Sequence, residues 1–305
     1  EISCSLVGSE MCIRDRGTTG TRTFAMTTPL IYQNGGALYD KTAGDTTLDS
    51  EASINGFTTL TELFTIYDIP QEITSFYQHF RNGDIPIGVS DYFMYSTLIT
   101  AAPDIENSWQ ISLVPGVKDE DGNIQRQTAG AAQSSMVLKN SRKAKVACTE
   151  GYGNSQNGEM DRQEAAWEYL KWWMDTDTQV EFGTTLQTTY GESYIWNSAN
   201  TEAFSKLPWK SRDKQIILEQ MDNIQETPRI PGTYMLEREL SNAYVAVVTN
   251  GGILRTELDS AIKRIDRETE RKLKEFGYLD SEGNVIKEYT VPDVDYVKDI
   301  ISKLD

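Results

Sequence analysis

Apolar residues recur at helical spacing along most of the chain, and short apolar runs bounded by turn residues separate the helical segments. From Ile54 to Tyr67 the apolar positions are three or four residues apart, which predicts a helix with Asp49 as its N-cap and Pro70 as its stop. The run 85–89 lies between turn residues and predicts a strand. This alternation of strands and helices favours an α/β fold.

The second half of the chain is predominantly helical by the same criterion. Apolar residues on one face predict a helix over 162–174, and Thr176 and Gln179 have the spacing of a capping box for the next helix. Further helices are predicted over 237–248, with Gly251-Gly252 as the stop, and over 254–276, with Gly277 as the stop. These segments complete a chain with more helix than strand.

Some conspicuous residues favour structural rather than chemical interpretations. The tryptophans of the 162–174 helix, Trp167, Trp172 and Trp173, are interpreted as core because Trp173 lies on the apolar stripe. The acidic stretch 119–123 lacks the ligand pattern of a calcium loop and predicts a hairpin turn. His79, beside Phe80 on a short helix, is expected at the surface.

Composition excludes several function classes. The 305 residues include 29 Lys and Arg against 46 Asp and Glu, a formal charge of −17, which disfavours nucleic acid and anionic lipid as partners. The longest apolar run, 243–248, is far shorter than the ~20 residues that span a bilayer. With one histidine in the chain, a His-rich metal site is excluded, and neither catalytic residues nor a cofactor are predicted.

The first sixteen residues differ from the rest of the chain. Residues 1–16 resemble the translated read-through of a sequencing adapter, so we expect a non-native segment and exclude it from the fold. Cys4 and Cys12 lie within it, which leaves Cys148 without a disulfide partner. We therefore expect that a signal sequence, lipid anchor or earlier domain preceded Gly17.

Short motifs occur in a characteristic order between residue 23 and about residue 276. They are Asn34-Gly35-Gly36, Phe80-Arg81-Asn82-Gly83-Asp84, Ile87-Gly88-Val89-Ser90-Asp91-Tyr92, Ala101-Ala102-Pro103, Val114-Pro115-Gly116, Ala166-Trp167-Glu168-Tyr169-Leu170-Lys171-Trp172-Trp173 and Pro231-Gly232-Thr233-Tyr234. The series resembles the C-terminal half of the family 1 extracellular solute-binding proteins, the maltose-binding-protein-like substrate receptors of ABC importers.

The resemblance implies an α/β periplasmic-binding-protein-like fold of type II, with two lobes and a ligand cleft between them. The second lobe would be nearly complete and the first largely missing. The implied divisions are 1–16 (non-native), 17–128 (second lobe), 129–199 (crossing segment and remainder of the first lobe) and 200–305 (second-lobe helices and tail). The 146–162 insertion and the 278–305 tail depart from the family pattern.

Sugar receptors stack aromatic rings on C–H faces and direct polar side chains at hydroxyl groups. Asp91, Tyr92 and Tyr95 follow the strand 85–89, where the resemblance implies an aromatic contribution to the cleft. Tyr234 and Arg238 share a helix face at spacing i, i+4, in a region where the family places a ligand contact. An ion pair with a neighbouring glutamate is the alternative role of Arg238.

Four further residues are expected to bind ligand by the same resemblance. Phe24 matches a position of cleft aromatics, and Gln133 lies in the crossing segment. Glu192 and Trp196 lie near the return crossing.

The implied function is the binding component of an ABC transporter that captures a carbohydrate, in the simplest case an oligosaccharide, and delivers it to permease subunits. Such a receptor is extracellular or periplasmic, typically a lipoprotein held to the membrane only through its N-terminal anchor. It has no enzymatic activity. The alternatives are a glycoside hydrolase with Asp91 and Glu192 as its carboxylate pair, or a receptor for a non-sugar solute such as a peptide or polyamine.

Overall fold

A computed structural model describes residues 2–6, 19–40, 45–69, 75–90, 92–130, 134–139, 145–148, 158–292 and 294–303. The helices are α1 (Thr19–Gln33), α2 (Glu51–Thr65), α3 (Phe76–Asn82), α4 (Tyr92–Ala101), α5 (Arg162–Met174), α6 (Thr176–Tyr190), α7 (Thr201–Lys206), α8 (Ser211–Met221), α9 (Thr233–Val248), α10 (Leu254–Glu275) and α11 (Val294–Ile301). The strands are β1 (Ile2–Leu6), β2 (Gly88–Ser90), β3 (Trp109–Ile111), β4 (Val117–Lys118), β5 (Ile124–Gln125), β6 (Thr128–Ala129), β7 (Lys145–Ala147), β8 (Glu159–Asp161) and β9 (Ile224–Gln225). The predicted mixture of helices and strands is confirmed.

Two helix caps differ from the predictions by one residue. The N-cap of α2 is Ser50 rather than Asp49, and its hydroxyl accepts a hydrogen bond from the backbone N–H of Ser53 at 3.3 Å. The N-cap of α6 is Asp175 rather than Thr176, and its carboxylate accepts from two backbone N–H groups of the first turn. An ionised carboxylate is a stronger acceptor than a hydroxyl, so Asp175 takes the capping position.

The longest of the described sheets is parallel, with strand order β2-β1-β3. Strands β6 and β9 form a second parallel pair, while β4 and β5 are antiparallel. The turn between β4 and β5 is the predicted hairpin, in which the Asp119 carboxylate accepts a hydrogen bond from the backbone N–H of Asn123 at 2.7 Å.

Two segments that the sequence interpretation set aside contain strands. Residues 1–16 were expected to lie outside the fold, but β1 is the central strand of the parallel sheet. Ile2, Cys4 and Leu6 alternate with serines, which is the period of a strand. At the two ends of the 146–162 insertion, β7 and β8 pair as antiparallel strands.

The chain divides into two compact units. Unit 1 comprises Glu1–Ala131 and Glu219–Asp305, and unit 2 comprises Ala132–Leu218. The boundary expected after residue 128 lies close to the observed boundary after Ala131. The boundary expected after residue 199 lies well before the observed boundary after Leu218.

Unit 1 has its main core where α1 packs against α2 and α9, and α9 packs against α10. Gly56 allows the close approach of α2 to α1, because a Cβ atom at this position would lie 2.7 Å from the backbone nitrogen of Ile31. The buried side chains of this core include Phe24, Ile31, Leu38, Phe57, Leu236, Leu240, Ala261 and Ile265.

Two buried glutamines of unit 1 fix the segment that leads to and from the hairpin. The side-chain oxygen of Gln220 accepts from the backbone N–H of Val114 at 2.9 Å, and its amide donates to the carbonyl of Arg126 at 3.0 Å. The amide of Gln33 donates to the carbonyl of Gln127 at 2.9 Å. Buried amides that satisfy backbone groups in this way stabilise an irregular segment.

Unit 2 is built around α6 and α7, with Phe204 and Leu207 buried. The hydroxyl of Ser198 donates to the side-chain oxygen of Gln179 at 2.5 Å, and both residues are buried. Gln179 therefore links α6 to the segment before α7 instead of closing a capping box.

Candidate functional site

Tyr234 lies at the start of α9, in a position set by the preceding glycine. Gly232 has φ +99, and a Cβ atom there would lie 3.2 Å from the backbone of Thr269 in α10. Tyr234 is 50% exposed, and its hydroxyl donates a hydrogen bond to the Glu268 carboxylate. The Arg271 guanidinium and this hydroxyl together lower the pKa of the Glu268 carboxyl to about 2. The phenol is thus held at its oxygen while half of the residue stays open to solvent.

Arg238 lies one turn after Tyr234 on α9 and makes an ion pair. Its Nε donates to Glu239 at 3.0 Å, and the Arg264 guanidinium of α10 binds the other oxygen of the same carboxylate. Burial raises the pKa of the Glu239 carboxyl, but the Arg264 and Arg238 guanidiniums outweigh burial and hold the pKa below its ordinary value. Arg238 itself is largely exposed. The ion pair occurs, and the ligand-binding role remains a prediction.

The predicted residues near α4 and α1 have different surroundings. Asp91 lies outside the described residues, and Tyr92 is the first residue of α4. Tyr95 is 1% exposed, and its ring packs edge-on against Trp109 with centroids 5.4 Å apart. Phe24 is buried in the core of unit 1. In these positions the rings of Tyr95 and Phe24 offer no open face on which a sugar could stack.

In unit 2, Trp196 is half-buried and held by its neighbours. Its carbonyl oxygen accepts a hydrogen bond from the indole of Trp209 at 2.9 Å, and its ring meets Phe182 edge-on at 5.2 Å. Glu192 begins an exposed 3₁₀ turn, Glu192–Tyr194, just before it. Gln133 lies outside the described residues.

The interpretation of the α5 tryptophans as core is wrong for Trp167 and Trp172. Trp167 is 56% exposed and Trp172 is 50% exposed, while Trp173 is half-buried. Successive ring contacts of 5.1–6.1 Å connect an aromatic cluster that consists of Tyr169, Trp172, Trp173, Phe182 and Trp196. No α5 residue is fully buried, although the Trp173 ring contacts Phe182 of α6 and Trp196 in the segment that follows α6.

Within the part of the chain that the structure describes, no group of three His, Cys, Asp or Glu side chains is placed to hold a metal ion. Among the same residues, no helix has both the length and the apolar character needed to cross a bilayer. His79 is half-exposed, with its Nδ1 3.2 Å from the Asp84 carboxylate, as expected for a surface residue.

The structure brings Tyr234 and Arg238 together on one helix of unit 1, and Glu192 and Trp196 together on one segment of unit 2. Sequence reasoning missed Tyr194, which is exposed in the same turn as Glu192. Its spacing of four from Tyr190, across a glycine, was the available signal.

Known proteins resemble this chain in structure rather than in sequence. No family model and no curated protein sequence matches the chain. Solved structures do match, although their sequences are only 12–15% identical to this one. A cyclic alpha-maltosyl-1,6-maltose binding protein from Arthrobacter globiformis superimposes with a TM-score of 0.56 at 12% identity, over 88% of this chain and 60% of the other.

Two further structures agree with it. The sugar-binding protein MalE from Xanthomonas citri has a TM-score of 0.52 at 12% identity, over 89% of this chain and 60% of its own. An ABC transporter solute-binding protein from Thermotoga lettingae, bound with alpha-D-tagatose, has a TM-score of 0.51 at 15% identity, over 88% and 60%. The chain thus spans about 60% of the length of these proteins. The expected fold is confirmed: the chain has the α/β fold of the solute-binding proteins of ABC transporters, over part of their length.

Proposed function

We propose that the chain is the substrate-binding component of an ABC importer and captures a carbohydrate, most simply an oligosaccharide, in a cleft between two lobes. The observation that carries the proposal is the fold shared with sugar-binding proteins of this class. The proposed partners are the sugar and the permease subunits of the transporter. The receptor would act outside the cell or in the periplasm, held to the membrane as a lipoprotein.

The surface chemistry of the proposed site residues supports a sugar ligand. Tyr234 and Trp196 present aromatic surface that could stack on the C–H face of a sugar ring. Arg238 and Glu192 supply an exposed charged donor and an exposed charged acceptor for hydroxyl groups. Asp91, Tyr92 and Gln133 remain proposed ligand contacts from the family resemblance.

The fold also supports binding rather than catalysis. A receptor needs a complementary surface and release of its ligand, whereas a glycosidase of the common type needs two carboxyl groups at a defined separation. Of the suggested Asp91–Glu192 pair the structure describes Glu192 alone, in an exposed turn.

The proposal is tested by calorimetric titration of the 305-residue chain with maltotriose, D-tagatose, a dipeptide and spermidine. We expect heat of binding with one of the sugars and none with the dipeptide or spermidine. Tyr234→Ala and Trp196→Ala should each weaken that binding about tenfold, a typical loss for one stacked ring. Tyr67→Ala is the matched control, because Tyr67 is an exposed tyrosine outside the proposed site. Tight binding of the dipeptide or spermidine alone would reject the carbohydrate assignment.

A second assay separates the receptor from a hydrolase. The chain is incubated with chromogenic glycosides, alongside Asp91→Asn and Glu192→Gln variants. We expect no turnover by any of them. Turnover by the parent chain that either substitution abolishes would establish the enzyme instead.

A further inference from the structure

Two exposed tyrosines stand side by side at the end of α6. Tyr190 is the last residue of the helix, and Tyr194 is the last residue of the 3₁₀ turn that follows it. Their ring centroids are 5.1 Å apart, with planes inclined at 41°. They are 61% and 53% exposed, respectively. The pair therefore presents a continuous aromatic surface to solvent.

The backbone between the two rings is fixed. Gly191 has φ +91 and ψ −179, a conformation open essentially to glycine alone. Its N–H donates to the carbonyl of Gln187 at 2.8 Å, and its carbonyl accepts from the N–H of Tyr194 at 3.0 Å. The hydrogen-bonded main chain thus fixes the separation of the two residues that carry the rings.

The turn is also attached to the rest of unit 2 on both sides. The side-chain amide of Gln187 donates to the carbonyl of Pro208 at 3.3 Å, before the turn. After the turn, the carbonyl of Trp196 is held by the Trp209 indole. A preorganised aromatic surface loses little entropy when it binds a ligand.

Glu192 lies between the two tyrosines in sequence and carries the one carboxylate of the turn. Glu192 is exposed and forms no ion pair with any residue that the structure describes. Elsewhere in unit 2, Glu168 beside Tyr169 is already bound by the ammonium group of Lys171. Tyr169 and Trp172 form a similar exposed ring pair, with centroids 5.6 Å apart, and the glutamate adjacent to it is this paired Glu168.

We propose that Tyr190, Glu192 and Tyr194 form a binding platform for one pyranose unit of a neutral saccharide. The rings would stack on the C–H face of the sugar, and the Glu192 carboxylate would accept hydrogen bonds from its hydroxyl groups. An anionic sugar is disfavoured because the turn, Tyr-Gly-Glu-Ser-Tyr, carries a carboxylate and no cation. This platform rests on the proposed function, since it names a surface at which the sugar is held.

The test is a titration of the 305-residue chain with maltotriose, followed by the NMR signals of isotope-labelled tyrosine rings. Tyr190 and Tyr194 signals are identified from the spectra of Tyr190→Phe and Tyr194→Phe. We expect both signals to shift on titration. Tyr190→Ala and Tyr194→Ala should each weaken binding about tenfold, whereas the Phe variants, which keep the ring, should bind within about twofold of the parent.

The matched control is Tyr169→Ala, an exposed tyrosine of the same unit that also contacts a second ring. It should bind maltotriose like the parent chain, and thermal melts should show that all the variants are folded. If the parent binds but the Ala variants retain its affinity, the platform is rejected while carbohydrate binding stands. If the Phe variants lose as much as the Ala variants, stacking is rejected. If the parent does not bind maltotriose, the platform is rejected, and the remaining sugars of the panel decide the proposed function.

Discussion

The indole Nε1 of Trp209 donates a hydrogen bond to the backbone carbonyl of Trp196 at 2.9 Å, from a ring that is almost fully buried. This bond positions a proposed ligand-binding residue through its main chain. Trp209→Phe should keep most of the packing and remove the donor. We expect unit 2 to lose about 1–3 kcal/mol of stability, the cost of an unsatisfied buried acceptor.

Tryptophan fluorescence during urea unfolding measures this loss, because all tryptophans except Trp109 lie in unit 2. The control is Trp167→Phe, at an exposed position, which should unfold at the same urea concentration as the parent. An equal effect of the two substitutions would mean that the Trp209 bond is not important for stability.

Gly56→Ala should destabilise unit 1. The added methyl group would lie 2.7 Å from the Ile31 backbone nitrogen, so α1 and α2 would have to move apart. Overpacking of this kind costs about 1–3 kcal/mol. Thermal unfolding followed by far-ultraviolet circular dichroism measures the change. Asn55→Ala is the matched control on the exposed face of α2, and a variant at Gly56 as stable as this control would contradict the close packing.

Glu239→Gln should destabilise unit 1 in a pH-dependent manner. Loss of the charge weakens the bonds to Arg238 and Arg264, and we expect a loss of about 1–3 kcal/mol at neutral pH, because both guanidiniums are partly exposed. The folded-state pKa of Glu239 lies below its unfolded value, so its contribution is full above the unfolded pKa and disappears as pH falls through the folded pKa.

The stability difference between parent and Glu239→Gln should therefore shrink as the solution is acidified below about pH 4.3, the ordinary value for glutamate. Urea unfolding at a series of pH values measures it. Glu275→Gln, on the exposed end of α10, serves as the control and should show a much smaller difference at neutral pH. A Glu239 difference that is independent of pH would exclude the charge as its cause.

Tyr234→Phe should raise the pKa of Glu268 from about 2, because the phenol hydroxyl no longer donates to the ionised carboxylate. The Arg271 guanidinium remains, so the pKa should still lie below the ordinary value. Carbon NMR of labelled glutamate side chains during an acid titration measures the change. Tyr169→Phe should leave the Glu268 titration unaltered, and an unaltered titration in Tyr234→Phe would refute the link.

Trp172→Ser should cost less than about 1 kcal/mol, since half of this residue is already exposed to water. The buried Phe57 gives the comparison: Phe57→Ala should cost about 3–5 kcal/mol through the cavity that it leaves. Differential scanning calorimetry of both variants tests the contrast. Comparable losses would mean that Trp172 packs as a core residue after all.

The helices with the clearest periodicity and punctuation could be predicted from the sequence. The predicted helix over 162–174 is α5, and the helix predicted over 254–276 is α10 to within one residue. These helices could be predicted because the apolar spacing lies within each segment itself, and because Gly277 marks the end of α10. The caps of α2 and α6 were missed because adjacent residues, Ser50 beside Asp49 and Asp175 beside Thr176, are both competent to cap.

Burial within the candidate site could not be predicted in the same way. Tyr95 and Trp172 are both aromatic residues on helices, yet the first is buried and the second half exposed. The difference comes from tertiary partners, because Tyr95 packs against Trp109 of another element, whereas Trp172 contacts the rings of Tyr169 and Trp173 on its own helix. A helical pattern indicates that a face is apolar, but the packing of distant segments decides whether that face is covered.

The hydrogen bonds that join the two ends of unit 1 have a consequence for biosynthesis. The Tyr39 hydroxyl donates to Thr233 at 3.3 Å, and the Thr46 hydroxyl donates to Asp266 at 2.9 Å, across about two hundred intervening residues. On the ribosome, α1 and α2 emerge long before α9 and α10, whereas unit 2 is continuous in sequence and can fold between them. The faces of α1 and α2 that pack against α9 therefore stay uncovered through most of translation, which makes the nascent chain a natural client for a chaperone until α9 and α10 emerge.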